Sequence, residues 1–210
     1  MITYAFVGNV DKRILVLPVA KALQGSKGET LIITDDPNYL RGTDNNVLSP
    51  VKVYFAPVID NNTVNKLDDG VDYQVVIYDT REFIPETRDE LIACRMKDRR
   101  LLADKIKEVT DEVDKNGEVV NASKEVVLTY NFNKAELKKS HYTDRGEHED
   151  VLGKATVIEL KVTDFKWLWI CEETAQILQF KNSDLLNVIA ELTCEPTGMP
   201  AKDWRAVLER

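Results

Sequence analysis

Seven short apolar runs recur along the chain, at Ile2–Val7, Thr30–Thr34, Val51–Phe55, Gln74–Tyr78, Leu91–Met96, Val126–Tyr130 and Thr156–Leu160. Runs of this length, rich in Val, Ile, Leu and Tyr, read as strands buried on both faces. The stretches between them carry helical spacing, which predicts helices at Val16–Gln24, Lys97–Val113 and Ser183–Leu192. In the second of these, Leu101, Leu102, Ile106, Val109 and Val113 fall on one face. A further short helix is expected at Cys171–Phe180, with Ala175, Ile177 and Leu178 inward. Strands alternating with helices predict an α/β fold of three layers, a mostly parallel central sheet with helices on both faces. Asp111–Ser123 and Asn133–Gly153 are polar and read as surface excursions. With no repeat and no linker, residues 1–210 are expected to form a single domain.

Pro18 refines the first helix. A proline is tolerated in a helix's first turn, where its missing N–H would be unpaired anyway, so this helix is expected to begin near Leu17. That start would draw the helix N-terminus away from the end of the first strand.

The net charge of −8 argues against a nucleic-acid-coating surface, which needs clustered Lys and Arg. There is neither an apolar stretch long enough to span a bilayer nor a signal-peptide pattern at Met1, so stable membrane insertion is not expected. Three cysteines (Cys94, Cys171 and Cys194) are odd in number, far apart and in apolar contexts. They read as reduced core thiols in a cytoplasmic protein.

Gly8-Asn9-Val10-Asp11-Lys12-Arg13 joins the first strand to its helix. A phosphate loop needs several glycine amides to wrap the anion, then a Lys, then a Ser or Thr for Mg²⁺. This segment has one Gly, no hydroxyl, and an Asp whose charge repels phosphate.

Other landmarks surround that loop. Lys12 lies eleven residues before Leu23, near the end of the predicted first helix. Thr34-Asp35-Asp36-Pro37 follows the second apolar run, and the stretch from Asp72 to Asp79-Thr80 is an apolar run ending in Asp-Thr. Val126-Val127-Leu128-Thr129-Tyr130 ends in Asn131, and Thr156–Leu160 leads to Thr163-Asp164. In this order the chain resembles the ParA/MinD group of P-loop ATPases, the deviant Walker branch, through nearly its whole length. The resemblance implies that Lys12 matches the family's conserved lysine and Asp36 its Asp-x-Asp-Pro segment. It further implies that Asp79 matches the Walker B aspartate and Asn131 the adenine-contacting Asn.

The departures bear on chemistry. The loop before Lys12 is shorter than the family's, Arg13 stands where a Mg²⁺-binding hydroxyl is needed, and Thr34 replaces the aspartate that positions the attacking water. Each lost charge-assisted hydrogen bond is worth about 1.5–3 kcal/mol. Micromolar binding needs roughly 8 kcal/mol in all. Phosphoryl transfer depends on positioning and Mg²⁺. The sequence therefore implies a vestigial nucleotide site at Lys12, Asp36, Asp79 and Asn131, with no cofactor and no catalytic residue. The alternative is an ATP- and Mg²⁺-dependent dimeric switch using the same four residues in an unconventional geometry.

Three further readings concern the surroundings of that site. Asp35, Asp36 and Asp79 are expected at neighbouring strand ends, where they would serve as caps and loop carboxylates, hold a divalent ion, or form a receiver-like pocket in which Asp79 accepts phosphate. Lys12 and Arg13 are placed to pair with those carboxylates or to bind phosphate. His141 and His148 lie in a polar loop without the spacing of a closed metal site.

Two more concern contacts. Phe165, Trp167 and Trp169 alternate, so a strand would put all three on one face, in the core or at an interface built on Trp167 and Trp169. The tail Asp203–Arg210 is expected to form a short helix with Trp204, Val207 and Leu208 on one side, docked on the core or a partner. The resemblance thus leads to a pseudo-ATPase that acts through protein partners, with homodimerisation possible, in positioning, partition or pilus and secretion assembly.

Overall fold

The computed structural model describes residues 1–40, 47–48, 51–67, 70–96, 124–130, 156–161, 163–166, 168 and 182–208. Eight strands form one sheet: β1 (Ile2–Val7), β2 (Thr30–Thr34), β3 (Val47–Leu48), β4 (Val51–Phe55), β5 (Val75–Thr80), β6 (Glu90–Met96), β7 (Lys124–Tyr130) and β8 (Thr156–Leu160). Their order is β3-β4-β2-β5-β1-β6-β7-β8. All neighbours are parallel except β3, which runs antiparallel to β4 at the edge. The seven apolar runs are the seven parallel strands. β3, only two residues long, carries no run that could be read in advance.

Side-chain alternation divides the sheet into two faces. Tyr4, Phe6, Ile32, Val75, Ile77, Ile92, Cys94, Val126, Leu128, Ile158 and Leu160 join the main core, which they share with helices α1 (Arg13–Lys27) and α2 (Ser183–Thr197). The opposite face holds Leu31, Ile33, Val76 and Tyr78, covered by Ile59, Val64, Leu67 and Phe83. Beside them Ala5, Val7, Leu91 and Ala93 pack under Ile84. A sheet with a layer on each face is the three-layer α/β architecture. Among the described residues the α-helical layer lies on the first face, and the second face carries irregular chain with one 3-10 turn at Val64–Lys66.

α1 is buried on every side from Ile14 to Leu23, because the sheet lies under it and α2 over it. It begins at Arg13, not near Leu17. The backbone N–H groups of Leu15 and Val16 already donate to the Lys12 carbonyl, and Pro18 sits inside the helix. Enclosure by sheet and α2 outweighs the hydrogen bond that Pro18 removes. The helix N-terminus therefore stays beside the end of β1.

α2 is capped by the Asn182 side chain, which accepts from the N–H groups of Asp184 and Leu185. It runs beyond Leu192 to Gly198, whose φ of 71° supplies the left-handed C-terminal turn. Helix α3 (Ala201–Leu208) follows and docks on α2 through Trp204 Nε1, 2.6 Å from Thr193 Oγ1. The tail is thus held against the chain's own core. Thr163–Lys166 are helical, so Phe165 does not belong to a strand of alternating aromatics. Trp167 and Trp169, the helices expected at Lys97–Val113 and Cys171–Phe180, and both histidines lie outside the described residues. No helix among the described residues is long and apolar enough to cross a membrane.

Candidate functional site at the carboxyl ends of the strands

β5 lies between β1 and β2, with Asp79 level with Phe6 on one side and Thr34 on the other. Val75 and Ile77 face α1, and the period-two alternation of a strand carries Asp79 to the same face. The loop Gly8–Lys12 must pass over this point to enter α1. Gly8 enables the passage: its φ is 147°, and a Cβ there would lie 1.8 Å from the Cys94 carbonyl oxygen on β6.

The Lys12 side chain turns inward beneath its own loop. Its Nζ donates to the Gly8 carbonyl at 2.7 Å and to the Val10 carbonyl at 3.3 Å, and lies 2.9 Å from Asp79 Oδ1. The two charged side chains are 3 % and 1 % exposed, so solvent does not screen them. Asp79 Oδ1 accepts no well-aligned hydrogen bond, and the ammonium charge is its partner. The second oxygen, Oδ2, accepts from the Tyr39 hydroxyl at 2.6 Å.

Burial alone would lower the Lys12 pKa, but the facing Asp79 outweighs it and holds the amine above its ordinary value. For Asp79 burial is the larger influence and pushes the carboxyl up, against the opposing pull of Lys12 and Tyr39. Burial, and then the Asp79 charge, raise Tyr39 well above the usual phenol range.

Asp11 occupies the N-terminus of α1. Its Oδ1 accepts from the Arg13 backbone N–H at 3.1 Å and from Arg13 Nε at 3.0 Å, while Oδ2 accepts from Nη2 at 2.7 Å. A carboxylate thus sits at the positive end of the helix dipole, where the resemblance would put a phosphate. Burial works to raise the Asp11 carboxyl, but the hydrogen bonds and charge of Arg13 prevail and hold it below its ordinary value. Arg13 Nη1 also donates to the Asn38 carbonyl at 3.3 Å, joining this loop to the one after β2.

The three aspartates of the strand ends do not converge. Asp35 accepts from the Arg81 backbone N–H at 3.2 Å. Asp36 accepts from the Asn38 N–H at 2.9 Å and so opens the 3-10 turn Pro37–Leu40. Asp79 alone points into the interior. Among the described residues no three His, Cys, Asp or Glu side chains come together as a metal would require. A receiver-like reading needs an open carboxylate, whereas Asp79 is sealed.

Of the four residues expected at a nucleotide site, Lys12 and Asp79 meet directly, Asp36 is a turn cap nearby, and Asn131 lies outside the described residues. Sequence reasoning missed Tyr39. It stands 40 positions from Asp79 and carries no local signal of its partner. The Asp11 cap was open to detection, since an Asp two residues before the acceptor's partner N–H is an Asx turn.

The chain matches no known family model and no curated protein.

Proposed function

We propose that this chain is a ParA/MinD-like domain that has lost nucleotide hydrolysis and acts through protein contacts, as a positioning or scaffold component. The observation that carries the reading is the buried contact of Lys12 Nζ with Asp79 Oδ1, 2.9 Å long. In an active relative the lysine serves the phosphates and the aspartate serves Mg²⁺. Here each serves the other, and Asp11 fills the helix N-terminus. Breaking one partner of such a pair costs about 3–5 kcal/mol. A nucleotide would have to offset that cost before gaining anything, with a loop that lacks the amides and hydroxyl for the task.

Protein contact as the mode of action is supported by how the strand-end loops are tied. Arg13 binds the Asn38 carbonyl and Arg81 binds Asp35, so the loops after β1, β2 and β5 form one braced edge. Asn9, Pro37, Arg81 and Glu82 are exposed residues along it. A preformed surface binds with less ordering cost than a mobile one. Positioning systems, plasmid partition and pilus or secretion assembly are settings in which relatives by resemblance work.

The test is isothermal titration with ATP and with ADP, each with Mg²⁺, alongside thermal unfolding. The expected result is no saturable heat and no rise in Tm at millimolar nucleotide. Saturable binding abolished by Lys12→Ala would overturn the reading in favour of the ATP-dependent dimeric switch.

A further inference from the structure

The geometry points to a built-in alkylammonium site: the three oxygens around Lys12 Nζ form a cage for a primary ammonium, and Lys12 is its tethered occupant. This inference rests on the proposed internal closure of the strand-end site and deepens it, by naming what the closed site recognises.

Three features of the cage carry the argument. Among the described residues, the oxygens within 3.3 Å of Nζ are the Gly8 carbonyl, the Val10 carbonyl and Asp79 Oδ1. Two are carbonyls that accept N–H from Nζ, and the third supplies the one negative charge, a donor-and-charge pattern that suits a primary ammonium. Mg²⁺ demands an octahedron at about 2.0–2.1 Å and keeps its waters, which a dry cage of three oxygens does not provide. Asp79 Oδ1 is fully buried and accepts no hydrogen bond among the described residues, so the Lys12 ammonium charge is what faces it. Two of the three oxygens come from the loop itself. The cation therefore folds Gly8–Lys12 over the strand ends and fixes where α1 starts, which makes Lys12 a positioning residue.

Removing the side chain beyond Cβ deletes three carbons and the ammonium, the shape of n-propylammonium. The experiment follows the thermal unfolding of Lys12→Ala in n-propylammonium chloride, with tetramethylammonium chloride at equal concentration as the control that cannot donate N–H. The variant is expected to melt below the wild type. Its Tm should rise with the logarithm of the n-propylammonium concentration above the Kd, by about 3–6 °C at ten times the Kd. The wild type, whose cage is full, should show no such rise. An equal rise in tetramethylammonium, an equal rise in the wild type, or no rise at all overturns the inference.

Should Lys12→Ala not fold in either salt, Lys12→Met and Lys12→Met/Asp79→Asn decide the matter. A cage built for a cation predicts that the double variant is more stable than the single one, because the unpaired buried charge has gone. Equal or lower stability overturns the inference. Nucleotide titration of the wild type is read separately. Binding there sinks the proposed function, whereas absent rescue without nucleotide binding sinks the cage alone.

Discussion

The Tyr39 hydroxyl donates to Asp79 Oδ2 at 2.6 Å, so a residue of the turn after β2 holds the charge at the end of β5. Lys12 approaches the other oxygen of the same carboxylate from the loop after β1. One buried aspartate thereby joins three strand ends.

Tyr39→Phe should lower stability by about 1.5–3 kcal/mol, the range for a hydrogen bond to a charged group. The ring stays and the cavity is negligible, so the loss isolates the hydroxyl. Urea unfolding measures it. A loss below about 0.5 kcal/mol would mean that Asp79 does not need this donor.

Gly8→Ala should be far more damaging than its single methyl suggests. The added Cβ would meet the Cys94 carbonyl at 1.8 Å, at a backbone φ of 147° that favours glycine. Backbone atoms on β6 cannot swing aside as a side chain would. A loss of more than about 3 kcal/mol, or failure to fold, is expected from the strain and the clash together. Unfolding midpoints and soluble yield against wild type give the answer.

The Asp11 charge should leave a signature at acid pH. Its folded-state pKa is depressed below the ordinary 3.8. A depressed carboxyl contributes stability that is complete above its unfolded pKa and is lost as the pH falls through its folded value. Asp11→Asn keeps an acceptor oxygen for the Arg13 N–H and removes the charge. The variant should therefore be less stable at pH 7, by about 1 kcal/mol for a part-exposed pair, with the difference shrinking below pH 3.8. Urea titrations of both proteins from neutral to acid pH read this directly, and a gap that widens on acidification would contradict it.

The described thiols should differ in reactivity. Burial pushes the Cys94 thiol up to about 12, and the residue is sealed within the main core. Cys194 is only partly buried on α2. In native protein, alkylation followed by peptide mapping should modify Cys194 and spare Cys94 until denaturant is added. Labelling of Cys94 at native rates equal to those of Cys194 would show that the floor of the site opens readily.

Local pattern was sufficient for the seven parallel strands, though not for the two-residue edge strand β3. The apolar runs were legible as strands because central strands such as β1, β2 and β5, buried on both faces, must be apolar along their length whatever their neighbours. The same holds for the start of α2, expected at Ser183–Leu192 and found at Ser183–Thr197, and for the α3 tail around Trp204. The start of α1 was misread because Pro18 is a local signal, whereas enclosure of the helix between the sheet and α2 is not. For Phe165 only the strand was misread, because alternation in five residues fits a strand whereas the chain there is helical; its place against the main core holds. The sequence by itself determined that Lys12 and Asp79 would lie near one edge of a mostly parallel sheet. Only the tertiary structure decided that they touch, since β5 must come to rest beside β1 and Gly8 must pass against Cys94. Contacts between positions so far apart leave no periodicity in the chain, because the energy that selects them comes from burial and charge in the assembled core.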